Sequence, residues 1–95
     1  MRLVFLPGTK PGLRWFAKYY TVIFTEGKKN ADRQFLAMKK LLVSSPEIGR
    51  PAGIRNCRIY MIPKTPFSVI YRVTGDRVEV LGVYDQRADA GISGS

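Results

Sequence analysis

The sequence predicts an α+β domain of element order β-α-α-β-β-β, in which a helical hairpin covers one face of an antiparallel sheet. Three observations carry the prediction. First, Pro66–Arg87 holds two runs rich in Val, Ile, Phe and Tyr on either side of Thr74-Gly75-Asp76. Gly tolerates the positive φ that a tight hairpin needs, so Gly75-Asp76 reads as a turn between two strands. Second, apolar residues recur at helical spacing over Leu13–Phe24 and again over Ala31–Leu42. Third, strands this apolar need a partner layer, and the two helices upstream can supply it while leaving the other sheet face to solvent or a partner.

In order, Arg2–Leu6 is a short apolar run that Pro7-Gly8 ends, and it reads as a first strand. Thr9 or Lys10 stands near the cap of the next helix, with Pro11 in the first turn, where its missing N–H is no loss. Leu13, Phe16, Ala17, Tyr20 and Phe24 form one apolar line, and Trp15, Tyr19 and Val22 a second. The β-branched Thr21–Thr25 leaves the end of this helix open. Glu26–Lys29 is a polar break, after which Asn30 is the expected N-cap of the second helix and Asp32 suits its first turn. Ala31, Phe35, Met38 and Leu42 form its stripe, and Ser44-Ser45-Pro46 stops it.

Ile48–Gly53 reads as an irregular connection and Ile54–Ile62 as a strand, with Arg55 and Arg58 among its apolar residues. Pro63–Pro66 turns the chain into the hairpin strands Phe67–Val73 and Val78–Tyr84. Period-two alternation puts Phe67, Val69, Tyr71 and Val73 on one face of the first, opposite Ser68, Ile70 and Arg72. In the second it groups Val78, Val80, Gly82 and Tyr84 against Arg77, Glu79, Leu81, Val83 and Asp85. Phe67, Val69, Tyr71, Val78 and Val80 are the expected helix-covered residues. Residues 1–87 read as one domain and the Gly/Ser-rich 88–95 as a flexible tail.

Sixteen Lys and Arg against seven Asp and Glu give a formal charge of +9. Such a field draws nucleic acid, an acidic membrane or an acidic protein. The lone Cys57 forms no internal disulfide, which fits a reducing, cytoplasmic setting. No apolar run reaches the roughly 18 residues of a membrane span. The absence of His removes the commonest general base and the commonest metal ligand, and one Cys builds no zinc site. The acidic residues form no tight pair at helical spacing, so a carboxylate-pair hydrolase or a two-metal nuclease has no support. Neither phosphate-binding glycine loop occurs, and no metal or cofactor is expected.

What remains is basic and aromatic. Arg55, Arg58, Arg72, Arg77 and Arg87 fall on or beside the last three strands, interleaved with Tyr60, Tyr71 and Tyr84. Two readings stand side by side: solvated strand residues in cross-strand pairs, or an Arg platform for phosphate or acidic side chains. Trp15 and Tyr19 are likewise core of the helix–sheet layer or part of a partner surface.

The stretches PEIGRP, GIR, PFSVIYRV, GDRVEVLGV and YDQRAD, taken in this order, resemble the RelE/ParE superfamily of bacterial toxins from type II toxin–antitoxin modules. The resemblance spans residues 2 to about 89, and IGRP and YRVTGDRVEVL look closer to the ParE branch. It implies a toxin silenced by an antitoxin whose acidic, partly disordered C-terminal segment wraps it. In the ParE-like case the target is DNA gyrase and there is no catalysis. In the RelE-like case the protein cuts messenger RNA on the ribosome, and Arg58, Arg87 and Tyr84 would carry the phosphate and acid–base roles. Against that case, the further basic positions of the nuclease pattern fall on Tyr60 and Ser68. A third reading is a basic binding module that has lost toxicity. The implied antitoxin- or target-binding residues are Arg55, Arg58, Arg72, Arg77, Tyr84, Arg87, Trp15 and Tyr19.

Overall fold

The structure, a computed structural model, describes residues 1–87; the tail expected over 88–95 lies outside the described residues. Strand β1 (Arg2–Phe5) leads through a short 3-10 turn into helix α1 (Lys10–Lys18), which carries Pro11 in its first turn. The helix does not stop at Lys18. It widens into a π-helical turn, Tyr19–Ile23, closed by the Phe24 N–H donating to the Tyr19 carbonyl at 2.7 Å. Helix α2 (Lys28–Ser44) follows and ends before Pro46. The remaining strands are β2 (Arg50–Pro51), β3 (Cys57–Met61), β4 (Phe67–Thr74) and β5 (Arg77–Asp85).

The expected N-cap at Asn30 is corrected. A 3-10 turn over Thr25–Gly27 feeds straight into α2, so the cap position is Gly27. Asn30 lies inside the first turn, and its side-chain amide donates instead to the Lys64 carbonyl at 3.3 Å.

The sheet order is β1-β5-β4-β3-β2. β2 to β5 pair antiparallel, and β1 adds at the β5 edge in parallel, so the sheet is mixed. β2 hides in what reads as an irregular connection, because two residues with a Pro give no periodic signal. The strand expected from Ile54 starts only at Cys57, since Gly53 (φ 78°) and Asn56 (φ 61°) turn the chain through left-handed backbone. Gly75 adopts φ 60° in the β4–β5 turn, as its place in the hairpin requires.

Both helices pack on one sheet face. Phe16 stacks edge-on against Phe67 with ring centroids 4.8 Å apart, and Tyr19 and Tyr20 each reach the same ring at 5.9 Å. Met38 and Leu42 of α2 complete a core with Val69, Tyr71, Val78, Val80 and Val83. The five residues expected under the helices are all buried.

The alternation fails at one place, and the site depends on it. Ile70 pairs with Gly82, but Tyr71 pairs with Val80, so Leu81 is an extra residue in β5. A bulge of this kind reverses the faces of everything beyond it. Val83 and Asp85 therefore turn to the helices, while Gly82 and Tyr84 turn to the open face, the reverse of strict period-two reading.

Candidate functional site

The open face follows from the register. Ile59 lies opposite Ile70 and Ile70 opposite Gly82, which gives a shallow apolar row. The Tyr84 ring folds back over Gly82, where an added Cβ would sit 2.5 Å from the Tyr84 hydroxyl oxygen. Ser68, opposite Tyr84, accepts a hydrogen bond from the Gln86 amide. Met61 extends the row at its exposed end.

The other end of this face is ionic. Arg72 Nε donates to Glu79 at 2.8 Å, Arg77 pairs with the same carboxylate at 2.9 Å, and the Thr74 hydroxyl donates at 3.2 Å. Arg2 stands opposite Arg77 on β1, while Arg50 on β2 lies opposite Ile59 and ends the apolar row with a further positive charge. One nearly buried carboxylate thus organises two guanidinium groups, and the face remains net positive. The Arg72 hydrogen bond, opposed by burial and aided by the charges of Arg72 and Arg77, holds the Glu79 carboxyl below its usual range.

A carboxylate whose folded pKa is depressed adds stability above its unfolded pKa of about 4.3, and that stability is lost as pH falls through the folded value. Glu79→Gln is therefore expected to lower the urea midpoint near neutrality and to converge with the parent in acid. A difference that stays constant from neutral pH to pH 2 would contradict this role for Glu79.

At the same end, a cleft of about 390 Å³ opens between the turn after β2 and the end of β4, lined by Ile54, Asn56, Cys57, Arg58 and Arg72 among others. Arg58 lines it while one guanidinium nitrogen holds the neighbouring turn. Its Nη1 donates to the Gly49 carbonyl at 2.6 Å and to the Glu47 carbonyl at 3.3 Å. Tyr71 supports the same turn, donating to the Pro46 carbonyl at 2.6 Å and accepting from the Gly49 N–H at 2.9 Å. Burial pushes the Tyr71 phenol up, so the hydroxyl stays protonated to bridge the two backbone groups. Arg55 sits in the exposed turn before β3, outside the strand that the Ile54–Ile62 reading includes it in, with no ion pair among the described residues.

On the helix side, three of the predicted residues meet around one that sequence reasoning missed. Asp85 accepts from Trp15 Nε1 at 2.9 Å, from the Arg87 N–H at 3.0 Å and from the Arg87 guanidinium at 3.1 and 3.2 Å. Arg87 Nη1 also donates to the Tyr19 hydroxyl at 2.9 Å, with the guanidinium carbon 4.5 Å from the Tyr19 ring centre. Burial alone would raise the Asp85 pKa, but the hydrogen bonds from Arg87 and Trp15 outweigh it and hold the carboxyl below its usual value. Nothing in sequence spacing links Asp85 to Trp15, since the bulge at Leu81 is what turns Asp85 inward.

Arg58, Tyr84 and Arg87 do not converge. Arg58 is opposite Tyr71 at one end of the sheet, Arg87 is held by α1 at the other, and Tyr84 lies on the opposite face. The Tyr84 hydroxyl has no hydrogen-bond partner among the described residues. No group of three or more His, Cys, Asp or Glu side chains clusters among the described residues. No described helix is long and apolar enough to cross a membrane.

No protein-family model and no curated protein sequence matches the chain. Solved structures do. A chain of the chromosomal ParDE toxin–antitoxin system of P. aeruginosa superposes with a TM-score of 0.70 at 24% identity, covering 90% of this chain and 95% of that one. A free-state mutant of the E. coli toxin RelE superposes with a TM-score of 0.56 at 19% identity, covering 97% of this chain and 90% of that one. The fold, two helices on a five-stranded mixed sheet, is the one shared by these ParE and RelE structures.

Proposed function

We propose that the chain is the toxin of a type II toxin–antitoxin module, acting without catalysis as a ParE-like poison of DNA gyrase. The observation that carries this reading is the open sheet face: a basic end at Arg72 and Arg77 beside the apolar row of Ile59, Ile70 and Tyr84. An extended or helical segment with alternating acidic and apolar residues is the complement of that surface. An antitoxin with an acidic C-terminal segment has this chemistry, and the likeness to a chain of a ParDE toxin–antitoxin system supports an antitoxin as the partner. With +9 on the toxin, association with such a segment is fast and slows steeply with salt.

The scatter of Arg58, Tyr84 and Arg87 over both faces supports gyrase over messenger RNA as the target. RNA cleavage needs basic and acid–base groups gathered around one phosphate, whereas blocking a protein target needs only a surface.

Controlled expression in a bacterium tests the proposal. The expected result is growth arrest with filamentation, DNA-damage signalling and cleaved plasmid, relieved by a coexpressed antitoxin. Early translation arrest with intact DNA would assign the chain to the messenger-RNA class instead.

A further inference from the structure

The tip of the helical hairpin presents apolar side chains that the fold leaves bare. Val22 is 66% exposed, Ile23 56% and Phe24 43%, three consecutive large apolar residues outside the core. A frayed helix end would not hold them so. The π-helical turn over Tyr19–Ile23 is closed by the 2.7 Å bond from Phe24 to Tyr19, and the Thr21 hydroxyl donates back to the Ala17 carbonyl at 2.8 Å. Phe24 rests on the Tyr19 and Tyr20 rings, with centroids 6.2 and 6.3 Å away. Single-turn π segments cost hydrogen-bond geometry and recur at functional positions. Here the turn holds two β-branched residues in water on a rigid base, which saves the ordering entropy a binding surface otherwise costs.

Basic residues mark the same end of the hairpin. Lys18 precedes the π turn by one residue, and Lys29 and Arg33 follow in the first turns of α2, none with an ion pair among the described residues. Lys29 and Arg33 stand at i,i+4, a like-charge spacing that weakens a helix and is relieved by an anionic partner.

We propose that this tip is the surface that engages the target protein, docking Val22 and Ile23 in an apolar cleft rimmed by carboxylates. The inference rests on the gyrase reading and adds where contact is made. The antitoxin surface and the tip are separate, since the helices lie on the sheet face away from the open one. A nucleic acid offers no apolar cleft to receive these residues. A second copy of the chain brings its own +9 charge, which opposes self-association. A bilayer surface calls for a broader apolar face than three residues.

The test compares the parent with Val22→Glu/Ile23→Glu and with the uncharged Val22→Ser/Ile23→Ser. Both sites are exposed, so melting temperatures within a few degrees of the parent are expected. Binding to purified DNA gyrase should weaken about thirty-fold or more in the Glu variant and about ten-fold in the Ser variant, with growth arrest lost in step. Unchanged gyrase affinity in both variants overturns the proposal. So does a loss confined to sedimentation with phosphatidylglycerol vesicles, or to dimer seen by gel filtration. A parent that neither arrests growth nor binds gyrase removes the functional reading and this proposal with it. A parent that binds gyrase beside variants that bind equally well removes the proposal alone.

Discussion

Gly12→Ala is expected to destabilise the chain by about 3 kcal/mol, the cost of overpacking at a site that has no room to yield. Helix propensity alone predicts the opposite sign, since Ala is favoured over Gly inside a helix by about 1 kcal/mol. The structure decides between them. A Cβ on Gly12 would lie 2.0 Å from the Val83 carbonyl oxygen and 2.9 Å from its carbon, and both are backbone atoms of a central strand. Relief requires α1 to lift from β5. That movement also pulls Trp15 away from Asp85, one helical turn further along the same contact. For a domain of this size the loss corresponds to a fall in melting temperature of roughly 15 °C. Thermal unfolding followed by circular dichroism measures it directly, and a melting temperature equal to or above the parent's would show that the helix accommodates the methyl group.

Gly12 also illustrates where sequence patterning stops. The apolar lines through Leu13, Phe16 and Tyr20 announce a helix and its buried side, because burial repeats with the helical period. They carry no information on how closely the backbone approaches its neighbour. In the same way, alternation in β4 identified Phe67, Val69 and Tyr71 as the covered residues, but in β5 it holds only as far as Val80. The extra residue Leu81 lies beside Gly82, a strand-interior glycine of the kind that marks bulges, but period-two counting passes over it and so misses the inward turn of Val83 and Asp85. The parallel placement of β1 was equally hidden, since the strand's own sequence is compatible with either direction. The Arg residues were legible as a set but not as partners. Glu79 gathers Arg72 and Arg77, the Gly49 carbonyl takes Arg58, and Asp85 takes Arg87. The Arg72 and Arg58 pairings are set by how the strands meet, whereas Arg77 with Glu79 and Arg87 with Asp85 are two residues apart and depend on which face the strand turns each side chain to.

Asp85→Ala is the second substitution with a large expected effect, about 2 kcal/mol near neutral pH, because it strips a half-buried donor of its acceptor and releases a paired guanidinium. The Asp85 side chain is only 5% exposed, and it joins α1, through Trp15, to the end of β5, through Arg87. Arg87 is half exposed and regains water, so most of the cost falls on the indole N–H and on the loosened Tyr19 contact. The pH dependence separates this account from a loss of packing. The folded pKa of Asp85 is depressed, so its contribution is complete above the unfolded value of about 3.9 and disappears as pH falls through the folded value. Parent and variant should therefore differ most near pH 7 and converge toward pH 2. Trp15 is the only tryptophan, so its emission should shift to the red in the variant and in the acid form of the parent alike. A double-mutant cycle with Arg87→Ala should return a coupling of about 1 kcal/mol. A stability gap that persists unchanged into acid, with no coupling to Arg87, would mean that Asp85 fills space rather than holding the helical layer by charge.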